Sequence, residues 1–332
     1  MSRYRVVVTD HLFSSMAEEQ EIFRRMDADL VVGQCRGEEE TLALSRGADA
    51  ILNTYAPMTA KVINGLERCR VIVRFGIGVD NVAVEAATVR GIMVANTSDY
   101  CIEEVADQAM ALLLACGRGL FPSAGIARAA AWDFNRMPRL ARIRGQTLGL
   151  LGLGRIGSAV AVRAKGFAMR ILAYDPYAGE EIFRKAGVEP VGLNRLLRES
   201  DFVSIHVPLN PETSGLVNGE ALTKMKPTAY LINVARGKIV DQAALCRALQ
   251  EGRIAGAALD VLETEPPLPD DPIRSLDNAI LTPHAAWYSE QSRMDMRRKA
   301  VGQVVSVLEG KLPYSLVNRE VLQKIGLQGK KS

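Results

Sequence analysis

One glycine-rich segment near the middle of the chain constrains the fold more than any other feature. The apolar run Thr147–Leu151 leads directly into residues 152–157, which have glycine at the first, third and sixth positions. A second apolar run, 170–174, ends at Asp175. A βαβ unit that binds a nucleotide typically has, in this order, a strand, a turn with this glycine spacing, a helix, a second strand and an acidic residue. The order predicts a parallel sheet whose turn accepts an anionic group.

Each residue of this motif has a physical task. Gly152 permits the tight turn, Gly154 lets the backbone approach a pyrophosphate, and Gly157 lets the next helix pack against the strand. Asp175 stands about twenty residues beyond the glycines, where a carboxylate can accept hydrogen bonds from an adenosine ribose. That carboxylate repels a ribose 2′-phosphate, and residues 176–177 are Pro and Tyr instead of an arginine that would neutralise one. The motif therefore predicts NAD as the cofactor and disfavours NADP.

Apolar strands alternate with amphipathic stretches on both sides of a central break, which predicts parallel sheets with crossover helices. At 332 residues the chain is too long for one core of ordinary size. In the first series we expect strands at 5–9, 30–33, 50–54, 71–74 and 92–95, and helices at 38–46, 82–90 and 101–117. In the second series we expect six strands, at 147–151, 170–174, 202–207, 230–234, 256–261 and 279–282.

The segment 121–146 between the two series has a weaker pattern, and we interpret it as an interdomain or subunit contact. A long helical run, 289–310, follows the second series. If the last residues return to the first sheet, the second series is an insertion. The sequence therefore predicts an α/β protein with a doubly wound parallel-sheet (Rossmann) NAD domain, residues 100–287. This domain is inserted in a discontinuous flavodoxin-like substrate domain, residues 1–99 and 288–332.

Composition excludes several classes of protein. Hydrophobic residues make up 48% and charged residues 24%, which is ordinary for a globular chain. The net charge of +3 gives no electrostatic case for direct nucleic-acid binding, and no apolar run is long enough to span a bilayer. The cysteines are odd in number and widely spaced, so we expect reduced thiols in a cytoplasmic protein and no metal site. They are Cys35, Cys69, Cys101, Cys116 and Cys246.

Three histidines are available for proton transfer, and their positions distinguish them. His206 lies within an apolar strand, which favours a structural role, and His11 lies in a turn after the first strand. His284 lies just beyond a strand, at the carboxyl edge where open α/β sheets bind ligands. We expect the same edge to receive Arg236 and Glu265 from the ends of two other strands. His284 is therefore the candidate acid or base.

A cation, an acid and an imidazole at one edge provide what hydride transfer to a 2-oxo acid requires. An arginine can hold the substrate carboxylate and polarise the carbonyl, a histidine can donate the proton, and a carboxylate can orient the imidazole. Taken singly, Arg236 also fits a surface ion pair, and Glu265 fits the start of a loop that ends at proline. Their convergence with His284 favours catalysis.

At these residues the chain resembles the D-isomer-specific 2-hydroxyacid dehydrogenases. The likeness rests on the glycine motif and on residues 233–237, 263–266 and 283–284, and it covers nearly the whole chain. The segments 71–81, 141–145 and 284–291 are most similar to the branch that contains the C-terminal-binding proteins, some of which are transcriptional corepressors.

The resemblance implies a role for each of several residues. It makes Arg236, Glu265 and His284 the catalytic set, with Arg236 also contacting the substrate. Cofactor contacts are implied at Gly152, Gly154, Arg155, Ile156, Gly157, Asp175, Val207, Thr213, Val234, Ala235 and Asp260, the last at the nicotinamide amide. Substrate contacts are implied at the turn Gly76, Ile77 and Gly78, through backbone N–H groups, and Trp287 is a candidate cover for an apolar substrate tail.

Three functions follow from these patterns. The leading hypothesis is reversible reduction of a small 2-oxo acid to its D-2-hydroxy acid by NADH, with His284 as acid and base. Arg74, beside the glycine turn, instead favours a second acidic group on the substrate, as in D-3-phosphoglycerate dehydrogenase. The likeness to C-terminal-binding proteins favours an NAD(H)-sensing, corepressor-like binding protein. The resemblance also implies a homodimer, which we expect to form through residues 120–144.

Overall fold

The computed structural model describes residues 2–129 and 132–326. The chain divides into two compact units, Met1–Tyr100 with Ser289–Ser332, and Cys101–Tyr288. Both boundaries lie one residue beyond the boundaries expected from the sequence. Strands and helices are numbered below in the order in which they occur along the chain.

The first unit contains a parallel sheet with the strand order β2-β1-β3-β4-β5. This is the flavodoxin-like order, so the predicted fold class of this unit is confirmed. Every residue of β3 and β4 is buried, as expected for parallel strands that are covered on both faces. The strands are β1 (Tyr4–Val8), β2 (Ala28–Val32), β3 (Ala50–Asn53), β4 (Val71–Arg74) and β5 (Met93–Asn96).

Helices of the first unit include three that the sequence patterns did not predict, namely α1, α3 and α13. Helix α1 has a weak apolar pattern because it buries just Glu19 and Phe23, and the other two are four or five residues long. The helices are α1 (Ala17–Arg25), α2 (Glu38–Ser45), α3 (Ala60–Asn64), α4 (Val84–Val89), α12 (Glu290–Leu308) and α13 (Val321–Lys324).

The second unit contains a parallel sheet with the order β12-β11-β10-β9-β6-β7-β8. Its arrangement around β6 is the doubly wound order of dinucleotide-binding domains, as predicted. The prediction of six strands was wrong, because the described part of this unit has seven. The additional strand, β8, consists of two exposed residues, one of them proline, and so has no apolar pattern. The strands are β6 (Thr147–Leu151), β7 (Arg170–Tyr174), β8 (Glu189–Pro190), β9 (Phe202–Ile205), β10 (Tyr230–Asn233), β11 (Gly256–Leu259) and β12 (Ala279–Leu281).

A short helix occupies part of the segment in which the sequence pattern weakens. Pro122 lies in its first turn, where proline is tolerated because the amide hydrogen has no helical partner. The helices of this unit are α5 (Ile102–Gly117), α6 (Leu120–Arg128), α7 (Arg155–Gly166), α8 (Glu180–Ala186), α9 (Leu193–Glu199), α10 (Gly219–Lys224) and α11 (Gln242–Gln250). No single helix within the described ranges is long and apolar enough to cross a membrane, although α5 and α6, bent by 58°, together meet that criterion by length and composition.

Each unit has its own hydrophobic core. In the first unit, the core includes Ile51 and Ile72 from neighbouring strands and Val62 from α3. In the second unit, Val203 and Leu231 on neighbouring strands pack within a larger cluster that extends to the helices around the sheet. These cores hold the strands parallel, and the carboxyl ends of the strands therefore present their loops at one edge of each sheet.

Candidate active site

The glycine turn after β6 has the geometry that its sequence predicts. Gly152 has a φ of +97°, and a Cβ atom there would lie 2.9 Å from the carbonyl of His206. A Cβ at Gly157 would lie 2.3 Å from the Gly152 oxygen. A Cβ at Gly154, in contrast, would have no atom within 4 Å. The first and third glycines are therefore required by packing, and the second leaves space for a ligand to approach the backbone.

Asp175 is anchored beside this turn. Its Oδ2 accepts a hydrogen bond from the Leu153 amide at 2.8 Å, and its Oδ1 accepts from the amides of Tyr177 at 3.0 Å and Ala178 at 3.2 Å. Arg155 and Ile156 form the first turn of α7, next to the glycines. The acid and the start of the helix are thus brought together, as the motif predicted.

Four further residues implied to line the cofactor, Val207, Thr213, Val234 and Ala235, lie in loops after β9 and β10. Thr213 donates from its hydroxyl to the Pro208 carbonyl at 2.6 Å, so this side chain also stabilises its own loop. Val234 is buried, and Val207 and Ala235 are partly buried. Their contacts with a cofactor stay predictions.

Three neighbouring parallel strands, β10, β11 and β12, deliver the predicted catalytic residues. His284 Nδ1 and Glu265 Oε2 are 2.6 Å apart, and Glu265 Oε1 accepts from the Leu262 amide at 2.9 Å. Burial opposes ionisation of Glu265, but the hydrogen bond with His284 and the nearby charge of Arg236 give this carboxyl a net lowered pKa. Glu265 is therefore a carboxylate that fixes the orientation of the imidazole.

The loop that carries His284 is built around Asp260, which is 1% exposed. The Asp260 carbonyl accepts from the His284 amide at 2.8 Å. Its carboxylate accepts from the Thr282 hydroxyl at 2.5 Å and from the amides of Ala285 at 3.0 Å and Ala286 at 2.8 Å. His284 itself has a φ of +51°, a left-handed conformation that these contacts maintain. The implied contact of Asp260 with nicotinamide stays a prediction, and the structure adds this positioning role.

Arg236 is held in a turn that Asn233 organises. Asn233 accepts from the Ala235 amide at 3.0 Å and donates to the Arg236 carbonyl at 2.8 Å, and the guanidinium donates to the Ala235 carbonyl at 2.8 Å. Gly237 follows immediately and packs against the backbone of residues 262–263. The Arg236 turn and the segment that leads to Glu265 are thus in direct contact.

The predicted substrate turn at Gly76–Gly78 lies in the first unit, at the end of β4. The Gly76 amide donates to the Thr97 hydroxyl at 2.8 Å and to the Arg74 carbonyl at 3.0 Å. The Gly76 N–H is thus paired within the protein in this structure. The substrate contacts at Gly76, Ile77 and Gly78 stay predictions. Trp287, in the second unit, packs edge-on against Tyr288 with ring centroids 5.6 Å apart.

The other two histidines have structural positions. Burial lowers the pKa of His206 to about 4, and its Nε2 lies 2.8 Å from the Ser204 hydroxyl. His11 accepts from the Phe13 amide at 3.1 Å through Nδ1. Both arrangements agree with the structural roles predicted for these residues. Across residues 2–129 and 132–326, no three His, Cys, Asp or Glu side chains are grouped to hold a metal ion.

Sequence reasoning missed several residues that shape this site. Asn233 bonds to the backbone of Ala235 and Arg236, and Thr282 donates to Asp260. Gln242, at the start of α11, accepts from the Glu263 amide at 3.0 Å. Asn233 is 1% exposed in the structure. In the sequence it ends an apolar run, and an amide at that position is unusual enough to have been the available signal. The contact of Gln242 had no local signal, since its partner is distant in sequence.

Comparisons with known proteins agree with this geometry. Residues 110–286 match the family profile described as D-isomer specific 2-hydroxyacid dehydrogenase, NAD binding domain. A glyoxylate reductase from Korarchaeum cryptofilum is 44% identical over 84% of this chain and 85% of its own length. The structure of D-lactate dehydrogenase from Aquifex aeolicus, with NAD and lactic acid, aligns with a TM-score of 0.86 at 29% identity, over 94% of this chain and 99% of that chain.

A second solved structure differs in its cofactor. The NADPH-dependent glyoxylate/hydroxypyruvate reductase of Sinorhizobium meliloti, with NADP and malonate, aligns with a TM-score of 0.84 at 32% identity, over 96% of this chain and 98% of that chain. The particular likeness to C-terminal-binding proteins stays a prediction. At the level of the family, the matched profile and the extent of the alignments lead to one conclusion: this chain belongs to the D-isomer specific 2-hydroxyacid dehydrogenases.

Proposed function

We propose that this chain is an NAD-preferring oxidoreductase that interconverts a small 2-oxo acid and its D-2-hydroxy acid. The observation that carries the proposal is the 2.6 Å contact of His284 with Glu265, near the charge of Arg236, at the carboxyl edge of a doubly wound sheet. Relatives that are named for glyoxylate and lactate chemistry support a short substrate, and glyoxylate is the first candidate.

The residues around the glycine turn fit a dinucleotide. The space at Gly154 admits a pyrophosphate close to the backbone, and the start of α7 provides amide hydrogens for its charge. Asp175 is held where a ribose diol can reach its carboxylate. The same negative charge opposes a 2′-phosphate, which supports NAD over NADP.

The catalytic residues divide the remaining work. Bound NADH would supply the hydride for the carbonyl carbon. Arg236 holds the substrate carboxylate and polarises the carbonyl. Because His284 Nδ1 is bound to Glu265, Nε2 is the nitrogen that passes a proton to the carbonyl oxygen. Glu265 stabilises the charged imidazole before that transfer, and the same groups act in reverse during oxidation of the hydroxy acid.

A substrate panel tests this function. We expect the purified chain to oxidise NADH when glyoxylate is present. At equal cofactor concentrations, the rate of NADH oxidation should exceed the rate of NADPH oxidation. The panel includes hydroxypyruvate, phenylpyruvate, a methylthio-substituted 2-oxo acid and phosphohydroxypyruvate. Turnover of the phosphorylated acid alone would replace the proposal with D-3-phosphoglycerate dehydrogenase activity. Binding of NADH without oxidation by any acid would favour the sensing function.

A second copy of the chain is the partner that we propose for residues 120–144. In the described part of this segment, no residue of α6 is buried. Apolar side chains here are unusually exposed, with Phe121 at 60%, Trp132 at 88% and Phe134 at 81%. Residues 130–131 lie outside the described ranges. Light scattering should report a dimer, and Trp132→Ser with Phe134→Ser should shift it toward the monomer. A monomeric unmodified chain at micromolar concentration would contradict this proposal.

A further inference from the structure

Two loops flank the glycine turn in the second unit. The turn is tied to the end of β7 by the Gly152 amide, which donates to the Tyr174 carbonyl at 2.9 Å. On the other side, the His206 amide donates to the Leu151 carbonyl at 2.7 Å. The loop after β7 and the loop after β9 therefore stand on opposite sides of the turn. Between them, the Tyr177 hydroxyl donates a hydrogen bond to the Glu212 carboxylate.

Each loop is shaped by its own hydrogen bonds. Asp175 accepts from the Tyr177 amide at 3.0 Å and so sets the start of the first loop. In the second loop, the Asn210 side chain accepts from the amides of Glu212 at 2.9 Å and Thr213 at 3.0 Å. Tyr177 and Glu212 are thus presented by two preformed turns, and little additional order is lost when their side chains meet.

The contact has no evident task in holding the fold. Tyr177 is 76% exposed and Glu212 is also exposed, so neither side chain belongs to the core. The hydrogen bond with Glu212 raises the pKa of Tyr177, which keeps the phenol protonated and able to donate at neutral pH. The bond joins the loops after β7 and β9, which flank the predicted cofactor site. This position indicates a role in cofactor binding.

We propose that Tyr177 and Glu212 form a clasp across the adenosine end of the bound dinucleotide. The inference rests on the proposed function, since it requires a pyrophosphate at Gly154 and a ribose at Asp175. A dinucleotide in that position directs its adenosine into the gap between the two loops. The clasp limits the separation of the loops and so slows departure of the cofactor. Both residues act as positioning residues, and neither takes part in the hydride or proton transfer.

Release of NADH, followed by stopped-flow fluorescence, tests the clasp. Tyr177→Phe removes the donor alone, and Glu212→Ala removes the acceptor. We expect each to speed NADH dissociation by roughly two- to fivefold, the effect of one exposed hydrogen bond to a charged group. The double variant should match either single variant, because both remove the same bond. Glu212→Gln keeps an acceptor and should dissociate at a rate closer to that of the unmodified chain.

Tyr314→Phe is the matched control. It removes an exposed tyrosine hydroxyl that donates to Asp99 at 3.2 Å in the first unit, and we expect it to leave NADH dissociation unchanged. Melting temperatures should be the same for all variants. Rates unchanged by Tyr177→Phe and Glu212→Ala, or additive effects in the double variant, would overturn the clasp alone. Absence of NADH binding to the unmodified chain would overturn the proposed function and the clasp together.

Discussion

Gly237→Ala should disable the active site by adding a single methyl group. The new Cβ would stand 1.9 Å from the carbonyl carbon and oxygen of Leu262 and 2.4 Å from the Glu263 nitrogen. Ordinary contacts begin at 3.4 Å, so one backbone segment must move by about 1.5 Å. One segment carries Arg236 and the other leads to Glu265. The substitution therefore separates two of the three proposed catalytic residues.

The expected loss follows from that displacement. A misplacement of about 1 Å can cost on the order of a hundredfold in rate, so kcat/KM for glyoxylate should fall at least that far. Overpacking should also cost about 1–3 kcal/mol of folding free energy. NADH affinity should fall less than kcat/KM, because the glycine turn follows β6 and is separated from β10 by β9, and among the predicted cofactor contacts Val234 and Ala235 lie next to the displaced segment. Steady-state NADH oxidation, fluorescence titration with NADH and thermal unfolding measure the three quantities.

Gly219→Ala provides the matched control for this experiment. It adds the same methyl group to the first residue of α10, where the new carbon would stand 3.7 Å from Ala244 Cβ, an ordinary contact. We expect unchanged activity and stability. If Gly237→Ala also kept kcat/KM within threefold of the unmodified chain, the argument that this contact sets the geometry of Arg236 and Glu265 would be refuted.

Three further predictions concern single side chains. His284→Asn should retain the melting temperature, because asparagine tolerates the left-handed backbone at φ +51°. It should lower kcat by about two to four orders of magnitude. A near-normal kcat would show that His284 is not the acid or base. His206 has a pKa of about 4 in the folded chain against 6.5 as its ordinary value, so the unfolded chain binds the proton first as pH falls. The chain should consequently lose about 2 kcal/mol of stability between pH 7 and pH 5 through this residue, and urea unfolding of His206→Asn should lack that component. Asp175→Ser should lower the preference for NADH over NADPH, measured as the ratio of kcat/KM values, by about tenfold or more; an unchanged ratio would assign the discrimination to other residues.

Much of the site could be predicted because its residues follow strands with clear local signals. Arg236 and His284 lie just after the apolar strands β10 and β12, and parallel strands end at one edge of a sheet. The glycine turn could be predicted for a similar reason, because the type and spacing of its residues indicate which backbone positions need glycine. These inferences required the order of elements along the chain together with the type and spacing of a few residues.

Other parts of the site depend on contacts between residues that are distant in sequence. The commitment of the Gly76 amide to Thr97 cannot be detected in the glycine pattern, which looks the same whether the N–H is used or not. The sequence around Asp260 does not indicate that its carboxylate accepts hydrogen bonds from the loop that carries His284. The two-residue strand β8 exists because β7 offers it an edge for pairing.

By itself, the sequence determined the two parallel sheets, the position of the glycine turn and the strand ends that carry the candidate catalytic residues. These features could be predicted because hydrophobic periodicity, the position of glycines and the order of strands depend on residues that are close together in the sequence. The tertiary structure alone decided which polar groups are already paired, which glycines touch distant backbone, and that Tyr177 meets Glu212. The physical reason is that hydrogen bonding and packing depend on separations of a few ångströms between segments that the chain order leaves far apart.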